Sequence, residues 1–390
     1  MSVLATISGA ALLAWLYLLC CHGRFWRADQ RIESAALLDD PPHWPTVTVV
    51  MPARDEEGQV GRALTSLDAQ DYPGPLDLIL ANDHSRDATV AEASGAVRRH
   101  QLTIADARDL PPGWSGKMWA VSEGLALVAA RDNAPDYVLL TDADIAHRPE
   151  SLRLLVKRAE AEQRDCVSVM AKLAIGDFWE KLLIPAFVFF FQKLYPFPRV
   201  NDPGDAMGAA AGGCLLVRYG ALTEIGGVVA VKDALIDDVA LARAIQHRGL
   251  APAPIWLGLG DTAVSIRPYL GLNGVWRMVR RTAFTQLDHR AVLLVGTLLG
   301  MALLYLAGPA LVLSVAWHGD ATAAALGGLA WAAMSLAFAP TLGLYGISSL
   351  FAVFLPLAGI LYSGMTFDSA LQYWRGRGGA WKGRYQAPAG

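Results

Sequence analysis

The sequence is poor in cysteine and in net charge. Its 390 residues include four cysteines, Cys20, Cys21, Cys166 and Cys214, with no C-x-x-C pair among them. This spacing suggests neither a zinc site nor a disulfide framework, and it fits a reducing, cytoplasmic setting for the polar part of the chain. The 33 lysines and arginines nearly balance the 36 aspartates and glutamates, which leaves a net charge of -3. That balance argues against a broad nucleic-acid-binding surface, so we expect no nucleic-acid partner.

Charge is also missing from the beginning of the sequence. Residues 3–21 are apolar and uncharged, and they are about as long as a helix that crosses a bilayer. A signal peptide is the alternative, but no basic region precedes the apolar run and no small-x-small cleavage site follows it. The mean hydropathy of the whole chain, +0.32, is unusual for a purely soluble enzyme. We therefore predict an N-terminal transmembrane anchor over residues 1–23.

The distribution of basic residues predicts the orientation of the chain in a bacterial-type inner membrane. Arginines follow the predicted anchor and none precedes it, which favours a cytoplasmic catalytic domain. Residues 291–365 are almost wholly apolar, and a basic tail follows over residues 366–390. Two crossings would return that tail to the cytoplasm, whereas three would leave it outside. We therefore expect two crossings and a re-entrant or interfacial piece.

Strand and helix signals alternate between the two apolar regions. After a predicted linker over residues 24–45, a β-branched run at 46–51 predicts a buried parallel strand. Further strand signals alternate with helical spacing through residues 46–290, which we predict to be the catalytic domain. Such alternation predicts an α/β sheet with parallel strands, whose ligands gather at the strand carboxyl ends.

One predicted strand delivers two carboxylates at its end, in the stretch VLLTDADI. Asp142 and Asp144 lie one residue apart, so an extended backbone would point both side chains in the same direction. Two carboxylates held close together repel each other unless a positive group lies between them, and a hard divalent cation often fills that role. A solvated turn is the alternative, because Asp-x-Asp is common by chance. We interpret the pair as the metal and nucleotide-phosphate site of a transferase.

Other acids and cations fall at further polar turns, and each has a structural alternative. Asp83 is also suited to capping a turn or helix, and Asp237 with Asp238 would favour a helix N-terminus electrostatically. The basic stretch RMVRR could instead contact anionic lipid head groups. The candidates of this group are Asp83, Asp237, Asp238, Arg277, Arg280 and Arg281.

A phenylalanine-rich segment over residues 178–198 has two interpretations. It is either a core helix or an interfacial segment that lies on the membrane and admits a lipid acceptor. We favour the interfacial segment, because Phe189 and its aromatic neighbours are flanked by lysine, arginine and proline.

Six stretches occur in a specific order: MPARDEEG, ANDHSRDAT, GWSGKMWA, TDADI, IDDVALARAIQHRG and RMVRR. Together they resemble the inverting family 2 glycosyltransferases, and more narrowly the hopene-associated glycosyltransferases and the ceramide glucosyltransferases. They cover roughly residues 46–281. The resemblance implies a GT-A, Rossmann-like nucleotide-sugar domain flanked by N-terminal and C-terminal transmembrane helices. It also implies transfer of a sugar from a UDP-sugar to the hydroxyl of a membrane lipid, of the hopanoid type.

The resemblance implies a role for each matching residue on the donor side. Asp83 would read the nucleotide base, Asp142 would approach the ribose or sugar, and Asp144 would hold Mg2+ or Mn2+ against the diphosphate. The other implied contacts to the nucleotide sugar come from Pro52, Arg54, Glu56, Lys117, Arg277 and Arg280.

On the acceptor side, the resemblance implies that Asp238 is the catalytic base, with Asp237 as the neighbouring acid. Which of the two accepts the proton stays open at this point. The sequence departs from the family pattern at Arg281, where a tryptophan is expected. Two alternatives remain for the function: a processive polysaccharide synthase with the same fold, and a noncatalytic membrane scaffold that binds a nucleotide sugar.

Overall fold

The structure is a computed structural model that describes residues 2–248 and 254–378. These residues contain eight strands that form one sheet. They are β1 (Val47–Ala53), β2 (Leu76–Asn82), β3 (Gln101–Asp106), β4 (Tyr137–Thr141), β5 (Ile145–His147), β6 (Cys166–Lys172), β7 (Cys214–Arg218) and β8 (Ile255–Ser265). Their order across the sheet is β3-β2-β1-β4-β7-β6-β8-β5.

The sheet is parallel in one half and mixed in the other. β3, β2, β1 and β4 pair in parallel, as the sequence predicts. β4 and β7 are antiparallel, with Val138 opposite Val217, and β6 also pairs antiparallel with β7. The prediction of an α/β fold is confirmed, but the prediction of parallel strands is wrong for this half. A strand buried on both faces has a continuous apolar sequence whatever its direction, so the pattern does not reveal the direction.

Fifteen α-helices lie within the described residues, and several of them cover the sheet. They are α1 (Val3–Cys20), α2 (Val60–Asp68), α3 (Thr89–Ala96), α4 (Gly116–Ala129), α5 (Ser151–Ala161), α6 (Phe178–Leu194), α7 (Phe197–Val200), α8 (Tyr219–Glu224), α9 (Asp237–Arg248), α10 (Gly271–Thr282), α11 (Ala291–Met301), α12 (Gly308–Leu313), α13 (Val315–His318), α14 (Ala321–Leu344) and α15 (Leu355–Trp374). A π-helical turn, Ala302–Ala307, joins α11 to α12.

Close packing of α4 on the sheet brings that helix to the carboxyl ends of the strands. A β-carbon at Gly124 would lie 2.6 Å from Val50 Cγ1, so glycine is what allows α4 to approach β1. Ser115 caps the helix by accepting a hydrogen bond of 3.2 Å from the Met118 N–H. The first turn of α4, which contains Lys117, therefore lies at the edge of the sheet where ligands bind in α/β folds.

The segment predicted as a linker, residues 24–45, is packed against the sheet in part. Ile32 and Ala35 are fully buried, and the Leu259 N–H in β8 donates a 2.8 Å hydrogen bond to the Gln30 carbonyl oxygen. A short apolar motif thus attaches the segment to β8.

The phenylalanine-rich segment forms α6, whose apolar side chains are largely buried. Phe189 is fully buried and lies 5.3 Å, between ring centroids, from both Phe25 and Phe338. The expectation that this aromatic face lies on the membrane is therefore wrong, and the core-helix alternative describes it. The flanking charges suggested an interface because a sequence does not reveal which apolar partners cover a helix.

Four apolar segments are long enough to span a membrane by length and composition, and they pack together beside the sheet. They are Val3–Cys20, Ala291–Leu313, Ala321–Leu344 and Ser349–Trp374. We call them the apolar bundle. The part of the predicted basic tail at residues 379–390 lies outside the described residues.

The last of these four segments, Ser349–Trp374, begins and ends on the same side of the apolar bundle. The Trp331 indole donates a 3.2 Å hydrogen bond to the Val353 carbonyl oxygen, which places Val353 beside the middle of α14. The ring of Tyr373, near the end of α15, stacks on His289, which precedes α11. The chain before Val353 leaves α14 at Tyr345, whose ring lies 5.7 Å from Lys172 Nζ in β6. Residues 345–374 thus start beside the sheet, reach the middle of the bundle and end next to the residue that precedes α11.

Candidate active site

Polar residues follow the parallel strands at one edge of the sheet. Arg54 comes directly after β1, Asp83 directly after β2 and Asp142 directly after β4. Because these neighbouring strands are parallel, their carboxyl ends meet, and the predicted site residues are brought to one edge.

Lys117 joins the two predicted carboxylate pairs. Its Nζ lies 3.0 Å from Asp142 Oδ1 and 3.2 Å from Asp237 Oδ2. Burial alone would lower the pKa of Lys117, but the charges of Asp142 and Asp237 outweigh burial and raise it above its ordinary value. Lys117 is therefore a permanent cation that holds one acid of each pair.

Asp238 is held by backbone N–H groups instead of a cation. Its Oδ2 accepts a 2.5 Å hydrogen bond from the Gly212 N–H, and its Oδ1 accepts a 2.8 Å bond from the Val239 N–H. Among the described residues it makes no ion pair. Burial, together with the negative charge of Asp237, raises the pKa of Asp238 from 3.8 to about 6. A carboxylate with this pKa is ionised near neutral pH and still basic enough to accept a proton.

The small-residue stretch before β7 shapes the backbone beside Asp238. A β-carbon at Gly212 would lie 3.2 Å from Asp238 Oδ2, and Gly213 has a φ of +94°, which favours glycine. The stretch thus allows the Gly212 N–H to approach the Asp238 carboxylate.

These residues line one cavity at the sheet edge. The polar lining consists of Lys117, Asp142, Asp237 and Asp238, and Pro52 lines the cavity together with apolar residues from β4, β7, α4 and α9. The cavity thus brings Pro52, Lys117 and Asp142 together with the Asp237–Asp238 pair.

Asp144 lies beside this cavity and binds an arginine that the sequence analysis missed. Arg267 Nε donates to Asp144 Oδ2 at 2.7 Å, and Arg267 Nη2 donates to Glu56 Oε2. Glu56, predicted to contact the nucleotide sugar, is thus paired with Arg267. The pairing of β5 with β8 brings Arg267 to Asp144 across a sequence separation of 123 residues. The isolated Ile266-Arg267 sequence carries no motif that would have identified it.

Asp83 is almost fully buried, at 1% exposure, and is paired with Arg54. Arg54 Nη1 lies 3.2 Å from Asp83 Oδ2 and donates a 2.8 Å hydrogen bond to the Asp83 carbonyl oxygen. The capping function in this turn falls to Asn82, whose Oδ1 accepts from the Ser85 N–H at 3.1 Å. The Asp83 carboxylate is therefore not explained by capping.

The predicted diphosphate arginines lie on α10, which packs against α6 and α15. Arg277 is exposed. Arg280 Nη1 lies 3.5 Å from Asp368 Oδ2 on α15, so this residue ties α10 to the apolar bundle. Neither residue lines the cavity that contains Lys117 and Asp238.

The donor set at Asp142 and Asp144 fits a divalent cation that also binds a diphosphate. Both carboxylates are partly exposed, at 36% and 21% of the side chain, and cationic side chains already lie against both. Among residues 2–248 and 254–378, no group of three or more His, Cys, Asp and Glu is arranged to hold a metal ion. Mg2+ commonly uses one or two carboxylates and takes its other ligands from substrate phosphates and water. The residues present therefore suit a cation that a nucleotide helps to hold.

Comparison with known families agrees with this geometry. Residues 48–226 match the family described as Glycosyl transferase family 2. The chain therefore carries a family 2 glycosyltransferase domain. The match includes Asp83, Asp142 and Asp144, and it ends before Asp238 and Arg267. With its α/β sheet, the family 2 domain has the Rossmann-like GT-A architecture that the sequence predicts.

Two curated relatives overlap the family 2 domain. The 4,4'-diaponeurosporenoate glycosyltransferase of Staphylococcus aureus (strain MRSA252) is 25% identical over 226 residues, which are 57% of this chain and 56% of that protein. The Mus musculus protein named inactive glycosyltransferase 25 family member 3 is 31% identical over 147 residues, 33% of this chain and 24% of that protein. The chain thus spans about half or less of the length of these relatives.

One solved structure resembles the chain over most of its length. The mannosyltransferase PcManGT from Pyrobaculum calidifontis, in complex with GDP-Man and Mn2+, aligns with a TM-score of 0.53 at 18% identity. The alignment covers 95% of this chain and 98% of that chain. At this identity the likeness concerns the fold, including the helices outside the family 2 domain.

Proposed function

We propose that this protein is an inverting glycosyltransferase that moves a sugar from a UDP-sugar to the hydroxyl of a membrane lipid, with a hopanoid-type lipid as acceptor. The observation that carries the proposal is the Asp238 carboxylate, which two backbone N–H groups hold in the same cavity as Lys117 and Asp142.

Asp238 is suited to be the base of an inverting displacement. The acceptor oxygen attacks the anomeric carbon as the bond from that carbon to the diphosphate oxygen breaks, and UDP leaves from the opposite face. Asp238 takes the proton from the attacking hydroxyl. Asp237 is less suited to this role, because its carboxylate is paired with Lys117 at 3.2 Å.

The donor side of the proposal rests on Lys117, Asp142 and Asp144. Lys117 orients Asp142 and supplies fixed positive charge next to the place where the diphosphate would lie. Asp144, with the diphosphate oxygens, would hold Mg2+ or Mn2+. A bound divalent cation supplies Lewis-acid stabilisation of the charge on the leaving diphosphate. Asp83 is proposed to read the base, with Arg54 holding its carboxylate, and Arg277 and Arg280 stay proposed contacts to the diphosphate.

A lipid acceptor is supported by the short path from the site to the apolar bundle. Arg267 contacts Asp144, and α10 begins four residues later at Gly271. Tyr269, between them, packs against the apolar bundle; burial raises its pKa to about 12, and the charge of Asp144 contributes to the rise. The S. aureus relative is named for 4,4'-diaponeurosporenoate, which is an acceptor other than the hopanoid that we propose here.

We propose that the membrane topology is one N-terminal crossing, two C-terminal crossings and a re-entrant hairpin over residues 345–374. Both ends of the hairpin lie on the side of the catalytic domain, and Val353 lies beside the middle of α14.

Cysteine labelling tests this topology in a variant without the exposed Cys20 and Cys21. Ser348 and Arg375 are both exposed and flank the hairpin, and Trp317 is exposed between the two proposed crossings. In sealed vesicles, cysteines at 348 and 375 are expected to react from the same side and a cysteine at 317 from the other. Labelling of 348 and 375 from opposite sides would mean that residues 349–374 cross the membrane.

The function is tested by a donor and lipid screen with the purified, membrane-reconstituted protein. With Mn2+ or Mg2+, we expect UDP release that requires a lipid fraction containing hopanoids, and a product that mass spectrometry shows to carry one sugar. Asp238→Asn is the control for background hydrolysis. Long sugar chains would indicate a polysaccharide synthase instead, turnover with GDP-sugars alone would refute the donor, and tight UDP binding without turnover would indicate a scaffold.

A further inference from the structure

Arg267 bridges two carboxylates from different loops, since Glu56 follows β1 and Asp144 lies between β4 and β5. Its Nε lies 2.7 Å from Asp144 Oδ2 and its Nη2 binds Glu56 Oε2, so one planar guanidinium contacts both acids. An arginine is suited to this bridging because its donors form a rigid fork.

The backbone around the bridge keeps Arg267 next to Asp144. The Ile266 N–H donates a 2.9 Å hydrogen bond to the Asp144 carbonyl oxygen, and Ile145 in β5 is opposite Ser265 in β8. Arg267, which follows Ile266, is therefore held next to Asp144 at the end of β8. About a third of the Arg267 side chain, 34%, is exposed, so the guanidinium has an open side toward solvent.

This bridge places a cation at the carboxylate proposed to bind the divalent metal. A metal ion at Asp144 would share the same oxygen with Arg267 and would be repelled by the guanidinium charge. Metal alone therefore has to displace Arg267 without any compensating negative charge. A nucleotide diphosphate changes this balance, because its oxygens are metal ligands and also match the guanidinium fork.

We propose that Arg267 occupies the place of the divalent cation in the nucleotide-free protein, so that the cation binds tightly only together with the nucleotide diphosphate. The inference rests on the proposed function of this site. When the nucleotide arrives, Arg267 exchanges its carboxylate partners for diphosphate oxygens, and Asp144 becomes available to the metal. Arg267 is thus a residue that couples metal binding to donor binding.

The test is a titration of the full chain with Mn2+, in detergent, followed by the electron paramagnetic resonance signal of free Mn2+. The variants are Arg267→Met, which removes the charge, and Arg267→Lys, whose ammonium cannot bridge both acids in the same way. The matched control is Arg131→Met. Arg131 Nη2 lies 2.8 Å from Asp77 Oδ1, with 31% of its side chain exposed, near the opposite end of β2.

Without nucleotide, we expect Arg267→Met to bind Mn2+ about tenfold more tightly than the native protein, the lower end of the effect of a neighbouring charge. With saturating UDP, the difference is expected to shrink or reverse, because Arg267 then contributes to binding the diphosphate. The Mn2+ affinity of Arg267→Lys is expected to lie between those of the native protein and Arg267→Met. If Arg267→Met does not fold, the titration of Arg267→Lys tests the proposal.

Equal or weaker Mn2+ binding by the Arg267 variants without UDP would overturn the inference. An equal tightening in Arg131→Met would overturn it as well, because the effect would then be one of overall charge. The outcome does not depend on finding the acceptor. If the lipid screen yields no product but the Mn2+ titrations give the expected result, the proposed acceptor is refuted and the proposed role of Arg267 is supported.

Discussion

Asp144 and Asp238 are both partly exposed acids next to the same cavity, but different groups hold them. The Asp144 carboxylate lies 2.7 Å from a guanidinium, whereas the Asp238 carboxylate binds two backbone N–H groups and makes no ion pair within the described part of the chain. A fixed guanidinium thus lies against the Asp144 carboxylate. Burial and the neighbouring Asp237 instead raise the pKa of Asp238 to about 6. This difference in partners supports the two roles that we propose, with Asp144 binding positive charge and Asp238 accepting a proton.

The largest expected effect is that of removing the proposed base. Asp238→Asn is expected to lower turnover by about 100- to 10,000-fold, because general base catalysis typically contributes that much. Donor binding is expected to change little, since Lys117 and Asp142 are intact. Initial rates of UDP release, with donor affinity measured separately by calorimetry, check both points.

Asp237→Asn is the matched control for the base. The residue is adjacent, and its carboxylate is paired with Lys117, so we expect a loss of turnover of about tenfold from the altered charge near Asp238. A loss as large as that of Asp238→Asn would show that the two acids do not differ as the structure indicates.

Removing the proposed metal ligand is expected to act through the donor. Asp144→Asn should lower kcat/KM by about 100-fold, because a bound cation is worth several kcal/mol of charge stabilisation. Most of the loss should appear as weaker metal-dependent binding of the donor, and it should be visible in the dependence of the rate on Mn2+ concentration. An unchanged Mn2+ dependence would contradict the role assigned to Asp144.

Lys117 connects the two carboxylate pairs, so its removal is expected to change the pKa of the proposed base, Asp238. In Lys117→Met the nearby positive charge is lost, which favours the protonated form of Asp238 and raises its pKa further. The acid limb of the pH–rate profile should move upward by about one pH unit, with a loss of turnover of about tenfold at neutral pH. A rate loss without a shift in the profile would limit Lys117 to donor binding.

The smallest perturbation is a change of pH on the native protein. The ionised form of Asp238 is the active base, and its pKa is raised from 3.8 to about 6. Activity should therefore fall as pH drops through about 6, where an ordinary aspartate would still be ionised. The profile of kcat/KM between about pH 4.5 and 8 reports this pKa for the free protein. A profile that stays flat down to pH 5 would contradict the base assignment.

Much of the site was predictable because its residues follow short, strongly patterned strands. The stretch VLLTDADI identifies the end of β4, after which Asp142 and Asp144 follow. Motif order then connects Asp83, Lys117 and Asp238 before any contact is known. These positions could be predicted because each residue lies at the end of a strand or the start of a helix, which the neighbouring sequence indicates.

The contacts that depend on strand pairing were not predictable. Arg267 follows β8, whose sequence IWLGLGDTAVS contains two glycines and an aspartate and carries a weak strand signal. Its partner Asp144 is 123 residues away, and only the pairing of β5 with β8 joins them. The antiparallel direction of β7 and the burial of Phe189 were missed for the same reason, since both depend on partners distant in sequence.

The most direct test of the division between the two carboxylates is Mn2+ binding in the presence of UDP, measured on Asp144→Asn and Asp238→Asn side by side. The account predicts that both variants lose turnover, that Asp238→Asn binds Mn2+ with UDP as the native protein does, and that Asp144→Asn does not. Native-like Mn2+ binding by Asp144→Asn, or its loss in Asp238→Asn, would contradict the account.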